Sequence, residues 1–562
     1  MSETISLNNA APEAGFVPKF SISLRPFGDS TFQPNKLEVT ATASMIEAEA
    51  GKPAFRIPIE CATMKSCDIA ASSIEATDDG GQLNIQATDD PVDNSGYLYY
   101  RRYSFHRATK GNVTLKYTVG VQEGPKRRGP PFNLLAQDGG ISGAGVSFLV
   151  VPDSERKDWE TTTFWDLDAM PPGSTGFTSC GSNPTPFVGD PLYAQFMIYM
   201  AGPLTVIPSN APHGAKLNGA WLGAPSFDTE AVTTWCAKLY PVMVSKLPNN
   251  KGRDFQLMGR RGFIPTSGGV AATNSFLIGY GNMPEPSANI KFLLAHELAH
   301  PLAGSLEVDD GMRNQWYSEG LAEFYKLITP IESGLASDEE VLAEFRKSTR
   351  GYYASRLINM HNDDVRALFW ADRQAQKIPY ARGLLYFLAL NHRMLAASNG
   401  ERSLDDLVNI MQENEREGRP NDLAAWKGLL FEELGEAELQ ILDDMIEGKT
   451  VVPPIEIFGT RFVRRELEVN VIDPGFPEKA LSEGRVYDLD PDSRAFAAGL
   501  RNGDFIESHD YEFMEIAYSN RPVTLRVTRG NGLPQDITFE PYRGKVTGYE
   551  WDLNTGGNVA HS

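Results

Sequence analysis

The sequence predicts a multidomain α+β protein, and three observations predict it. The chain of 562 residues is too long for one hydrophobic core and divides into three or four domains. Its 51 Gly and 37 Pro mark many turns, hence substantial β structure. The hydrophobic period also changes along the chain, from two, through a mixed region, to helical and back to short strands.

Residues 1–154 are read as an N-terminal β-sandwich. Polar and apolar side chains alternate in Phe20-Ser-Ile-Ser-Leu-Arg25 and in Leu37-Glu-Val-Thr-Ala-Thr-Ala43. Turns are marked by Asp78-Asp79-Gly80-Gly81 and Asp93-Asn94-Ser95-Gly96, and the Gly/Pro-rich run 124–131 is an exposed loop. Residues 155–317 have a mixed texture: strands at 195–200, 217–222, 255–258 and 275–279, a helix over 229–246, and a further helix that begins by Asn289. The uncharged stretch 193–209 is interrupted by Gly202-Pro203 and Pro208, so it reads as a strand with a break rather than a membrane span. Residues 318–450 are helical, with Ser337 as an N-cap ahead of Asp338-Glu339-Glu340. A Val-Val-Pro-Pro linker then opens residues 451–562, which return to short strands and turns before a tail.

The chemistry concentrates at the end of the mixed region, where residues 296–300 read His-Glu-Leu-Ala-His. On a helix, His296 and His300 lie one turn apart on one face, where two imidazoles can share a Zn²⁺. With 8 His in the chain, chance yields this pattern in about one such sequence in a hundred. The preceding Asn289-Ile-Lys-Phe-Leu-Leu-Ala295 is mostly apolar, so the helix is a core helix, where histidines without partners would be costly. Trp316-Tyr317-Ser318-Glu319-Gly320 follows, and Glu319 is the natural third ligand, brought by a second helix folding back. Glu297 then points at the water in the fourth position as general base. One Zn²⁺ per chain is expected.

The net charge of −21 argues against nucleic acid or an anionic membrane as partner, because no basic face offsets it. Cys61, Cys67, Cys180 and Cys236 form no metal cluster; a Cys61–Cys67 disulfide and four free thiols are equally compatible with the sequence. No basic segment followed by an apolar one opens the chain. It reads as soluble and cytoplasmic as it stands, or periplasmic if a leader was removed.

The zinc motif, Trp316-Tyr-Ser-Glu-Gly320 and the segment 485–506 together resemble the glycyl-aminopeptidase family of gluzincin metallopeptidases. The resemblance covers nearly the whole chain. It implies a β-sandwich, a thermolysin-like catalytic domain at 155–317, a helical domain completing the active site at 318–450 and a C-terminal PDZ-like domain. It implies a peptide or protein substrate, His296, His300 and Glu319 as zinc ligands, and Glu297 as base. Glu323, one turn after Glu319, would orient a ligand histidine. Pro379-Tyr380-Ala381-Arg382-Gly383 resembles the Pro-Tyr-x-Lys-Gly stretch of aminopeptidase N relatives, which makes Tyr380 the donor to the oxyanion. His361 and His392 are less favoured for that role.

The sequence departs from the family in three places. The amine-binding motif corresponds to Gly268-Gly269-Val270-Ala271, a substrate-binding strand in which Ala271 stands where the family has glutamate and offers no partner for an ammonium. The PDZ-like segment, with a strand expected at 485–489, has Asp473-Pro474-Gly475-Phe476 in place of Gly-Leu-Gly-Phe, so a peptide ligand there is no more expected than a structural role. Pro301 should end or bend the zinc helix. Aminopeptidase action, endo- or oligopeptidase action by the same mechanism, and an inactive peptide-binding scaffold remain open.

Overall fold

The computed structural model describes residues 17–554 apart from 29–32, 45, 62–63, 92–97, 125–129, 183, 185, 210–215, 249–253, 263–266, 282, 285–286 and 308–312. The turn expected at 93–96 and most of the loop at 124–131 lie outside the described residues. The chain forms two compact units, Met1–Leu302 and Ala303–Ser562.

In the first unit, Lys19–Gly28, Pro34–Ala43 and Val113–Gly120 pair antiparallel as the centre of a seven-stranded sheet. The alternation is borne out: Phe20, Ile22, Leu24, Leu37, Val39 and Ala41 are all buried. A second sheet, built on Pro53–Cys61 and Leu98–Phe105, closes the same core with Phe55, Ile57, Tyr103 and Phe105. Beyond residue 154 the chain continues this domain. Trp159–Trp165 lies parallel beside Lys19–Gly28, and Phe187–Gly189 pairs with it in turn. The strand expected at 195–200 begins at Ile198, because Gln195 closes a short helix, Leu192–Gln195, and its Nε2 donates to the Leu149 carbonyl at 2.9 Å. All four cysteines are free thiols, so no Cys61–Cys67 bridge forms.

The mixed region forms a five-stranded sheet of β1 (Leu204–Ile207), β2 (Leu217–Leu222), β3 (Phe255–Arg261), β4 (Gly268–Ala272) and β5 (Ser275–Tyr280), in the order β1-β2-β3-β5-β4. The three central strands are parallel, and β4 is an antiparallel edge. Every residue of β5 is buried, as expected of a strand covered on both faces. Helix α1 (Thr229–Lys246) occupies the range read from the sequence; Asp228 caps it, and the Trp221 Nε1–H bonds Thr233 Oγ1 at 3.1 Å. Arg260 of β3 is fully buried and donates to the carbonyls of Pro131, Asn133 and Ser142, which ties this sheet to the β domain.

Helix α2 (Ser287–Ala303) carries the histidines. It runs two residues past Pro301, so of the two expected effects, an end or a bend, the end does not occur. The proline removes only its own donor, and the N–H groups after it still reach back one turn.

The second unit begins with α3 (Gln315–Glu332) and α4 (Asp338–Ala354), followed by a short helix, Asn362–Leu368, then α5 (Arg373–Ala397) and α6 (Leu404–Arg416). Ser337 caps α4 as expected: its Oγ accepts the Glu340 N–H at 3.3 Å, and Glu340 Oε2 accepts the Ser337 N–H at 2.9 Å. Two more helices, Leu423–Leu434 and Glu436–Ile446, complete this part.

The chain ends in a long antiparallel pair, β6 (Phe462–Ile472) with β7 (Tyr542–Leu553), and a three-stranded sheet of Phe505–His509, Val523–Thr528 and Gln535–Phe539. Between the sheet's first two strands lies helix α7 (Phe513–Ser519). No strand forms at 485–489. Asp488 takes a left-handed φ of 48°, which interrupts an extended run, and only Arg485 bridges to Phe505. Among the described residues no helix is long and apolar enough to cross a membrane.

Candidate metal centre

The centre is built from α2. Ile290, Leu294 and Leu298 face the core at 1 % exposure or less, which fixes the rotation of the helix. His296 and His300 are buried one turn apart, with ring planes at 88° and centroids 4.7 Å apart. Their Nε2 atoms lie 3.1 Å from each other. Two nitrogens on one tetrahedral zinc at about 2.0–2.1 Å each would stand roughly 3.3 Å apart. The imidazoles are thus already posed to share an ion.

Glu319 joins them: one ligand atom from each of His296, His300 and Glu319 lies within 4.8 Å of the others, and all three residues are buried. Two imidazoles and a carboxylate are a donor set that suits Zn²⁺ and leaves a coordination position open, so the residues present fit the ion.

Glu297 is also buried and faces the edge strand β4. A Cβ built on Gly269 would stand 3.1 Å from Glu297 Oε1, so only a glycine lets this carboxylate lie against the strand without displacement. Gly268, Gly269 and Ala271 are half-buried and Val270 is buried. The antiparallel register pairs Gly268 with Gly279 and Ala271 with Phe276.

Within the second unit, the turn of α3 that carries Glu319 is held by two features that sequence reasoning missed. Gly320 meets Gly383 of α5 so closely that a Cβ on Gly320 would lie 2.6 Å from the Gly383 Cα. A Cβ on Gly383 would lie 2.1 Å from the Trp316 carbonyl oxygen. Each glycine closes its motif, Trp316–Gly320 in one case and Pro379–Gly383 in the other, and that shared position was the available signal. Around the crossing, Trp316 stacks on Phe387 with centroids 5.7 Å apart, and Tyr317 meets Trp426 edge-on at 5.1 Å.

Glu323 is buried in a charge cluster. Its two oxygens lie 2.8 and 2.7 Å from Lys326 Nζ, and Ser348 Oγ donates to it at 3.1 Å. Lys326 also reaches Glu344 at 3.0 Å, so the carboxylate serves to join α3 to α4.

Tyr380 is at the start of the third turn of α5, half-buried, and the Lys377 ammonium lies 4.2 Å from its ring centroid. Burial, with Arg373 close by, pushes Lys377 down to about 8 despite the opposing pull of Glu323 and Glu319. Lys377 was not singled out from the sequence; its signal is the i, i+3 spacing to Tyr380. Arg382 is fully buried and donates to Asn362 and to the carbonyls of Ile358 and Met360 at 2.8 and 2.9 Å. His361 accepts the Asp363 N–H at 3.1 Å as a helix cap.

No family model and no curated protein matches the sequence. Solved structures do resemble it. An aminopeptidase N family protein from Idiomarina loihiensis superposes with a TM-score of 0.63 at 15 % identity, over 95 % of this chain and 98 % of that one. This chain has that protein's fold. More distantly, an M1 zinc metallopeptidase from Deinococcus radiodurans superposes with a TM-score of 0.48 at 16 % identity, over 78 % and 94 % of the two chains. Native leukotriene A4 hydrolase from Saccharomyces cerevisiae gives 0.47 at 12 % identity, over 78 % and 68 %.

Proposed function

We propose that this chain is a zinc-dependent metallopeptidase in which His296, His300 and Glu319 hold one Zn²⁺. The observation that carries the reading is the convergence of these three buried ligand atoms within 4.8 Å. The fold shared with an aminopeptidase N family protein agrees with it. Bound there, Zn²⁺ supplies Lewis acidity toward the scissile carbonyl and toward water. Glu297 accepts the proton of the attacking water on its carboxylate and returns it to the leaving amine. Tyr380 donates its phenol O–H to the oxyanion that develops on the carbonyl oxygen. The edge strand β4, with Gly268 to Ala271, offers its backbone N–H and C=O groups to an extended peptide beside Glu297.

The substrate's N-terminus is where this chain parts from aminopeptidases. Ala271 has no carboxylate, so β4 gives a free α-amine no charged partner there. The activity we favour is peptide-bond hydrolysis without a strict demand for a free N-terminus. Single-residue release, as in aminopeptidases, is the competing reading, and retention of Glu297 with the whole ligand set speaks against an inactive scaffold. The test is a matched pair of peptides differing only in an N-acetyl group, offered to the zinc-loaded protein with products identified by mass. Rates within about tenfold of each other are expected, since the missing pairing is worth about 1.5–3 kcal/mol where it exists. Release of single residues from the free peptide alone, with the acetylated one untouched, would show that another acid anchors the amine.

The C-terminal domain we read as PDZ-like and structural. The sheet edge at Ile472, just before the loop Asp473-Pro474-Gly475-Phe476, is bridged by the chain's own Ser355. A Cβ on Gly351 of α4 would lie 3.0 Å from Met514 of α7, so that helix is covered by α4. Both contacts favour an internal role over capture of a peptide ligand.

A further inference from the structure

Helix α5 carries Tyr380, yet its first turns are poorly secured by the helix itself. Pro379 lies inside it and has no N–H, so the carbonyl of Ala375 loses its helical partner and residues 373–378 are tied less firmly to the rest. The opening N–H groups of any helix also lack partners within it. Here two carboxylates supply them. Asp372 Oδ1 accepts the N–H of Gln374 at 2.9 Å and of Ala375 at 3.2 Å. The N–H of Arg373 goes instead to Glu478 Oε2 at 2.8 Å, a residue 105 positions away in the C-terminal domain.

Glu478 is itself buried and held from several sides. Its Oε1 accepts from Tyr511 Oη at 2.6 Å and from Gln374 Nε2 at 3.1 Å. Arg356 lies between the two acids: it donates to Asp372, and its guanidinium is 4.0 Å from Glu478 Oε1. Gln374 completes the ring by accepting the Ser355 Oγ–H at 3.2 Å and the Arg356 N–H at 3.0 Å. A buried network in which one acid comes from another domain transmits that domain's position to the helix it caps. Tyr380 lies seven residues after Arg373, about 10 Å along the helix axis.

We propose that Glu478 is a positioning residue through which the C-terminal domain sets the start of α5 and thereby the placement of Tyr380. The proposal rests on the reading of Tyr380 as the oxyanion donor. It gives the C-terminal domain a task in hydrolysis that requires no peptide ligand.

The experiment is a double-mutant cycle on the full-length, zinc-loaded protein with one internally quenched peptide: wild type, E478Q, Y380F and E478Q/Y380F. Zinc content and thermal stability are measured alongside. The glutamine keeps one accepting oxygen and the shape of the side chain. We expect E478Q to lower kcat about 3- to 10-fold with KM and zinc content unchanged, and to cost less than about 1.5-fold in the Y380F background. Y511F, which removes only the 2.6 Å bond to Glu478, should lower kcat in the same direction by a smaller factor. That variant carries the test if E478Q does not fold. Equal losses from E478Q in both backgrounds, or no loss in the wild-type background, would overturn the proposal while leaving the reading of Tyr380 intact. A Y380F kcat equal to that of wild type would remove the reading and the proposal together.

Discussion

Glu297 has the most exacting position of any side chain in the site. It sits beside His296 in the sequence yet faces β4, where Gly269 leaves it room. Glu297→Gln preserves that shape but cannot accept a proton from water. It should keep zinc and stability while kcat falls roughly 10²–10⁴-fold, the range for a general base. Metal analysis and kinetics on the same sample check this, and near-normal turnover would exclude Glu297 as the base. A second residue-scale prediction concerns Glu415 of α6, whose carboxyl burial and the nearby Glu307 push up from 4.5 to about 7. The folded state therefore holds this proton more tightly than the unfolded state. The resulting stability is present below about pH 4.5 and is lost as pH rises through about 7. Glu415→Gln removes the cost of ionisation, so its Tm should exceed that of wild type at pH 8 and match it near pH 4.5. Equal Tm differences at the two pH values would show that the carboxyl is not shifted.

At the scale of the element, the crossing of α3 and α5 decides how the second unit presents Glu319. Each helix contributes a glycine at the point of contact, and each would strike backbone atoms of the other helix if it bore a Cβ. A flexible neighbour could yield, but a carbonyl 2.1 Å away in a packed helix cannot. Gly383→Ala should therefore destabilise the protein by about 1–3 kcal/mol or more, as overpacked cores do, and weaken zinc binding by moving the Glu319 turn. Gly428 is the control: it lies in the helix Leu423–Leu434, a Cβ there would meet nothing within 4 Å, and alanine should stabilise by about 0.5–1 kcal/mol. Denaturant titration with zinc-affinity measurement separates the two. Unchanged zinc affinity in Gly383→Ala would mean that the crossing does not place Glu319. The helix kinds and several of their limits were legible in advance, because the 3.6-residue period and the Ser337 cap act within a few residues. The crossing was not, because it depends on two glycines 63 positions apart.

For the whole molecule, a metal that binds only the folded chain must stabilise it. Zinc at about 100 times its Kd should add about 2.7 kcal/mol, and chelation should lower Tm accordingly. His300→Ala should abolish that difference; a chelator-induced shift of full size in the variant would move the metal elsewhere. The candidate ligands, the candidate base and the change from strands to helices were all legible in the sequence. A helical turn forces residues four apart onto one face, and a strand forces alternation, whatever the rest of the chain does. The assembly was not legible. The texture changes near residue 155, but Trp159–Trp165 returns to pair in parallel with Lys19–Gly28. An apparent strand at 485–489 gives way to a left-handed turn at Asp488. The N-terminus of the helix bearing Tyr380 is capped by Glu478. What the sequence by itself determined is the chemistry available and the local form of the segments that carry it. Which strand lies beside which, where two helices touch, and which distant acid caps a helix were decided only in the tertiary structure. Those contacts join residues far apart in the chain, and no local period records them.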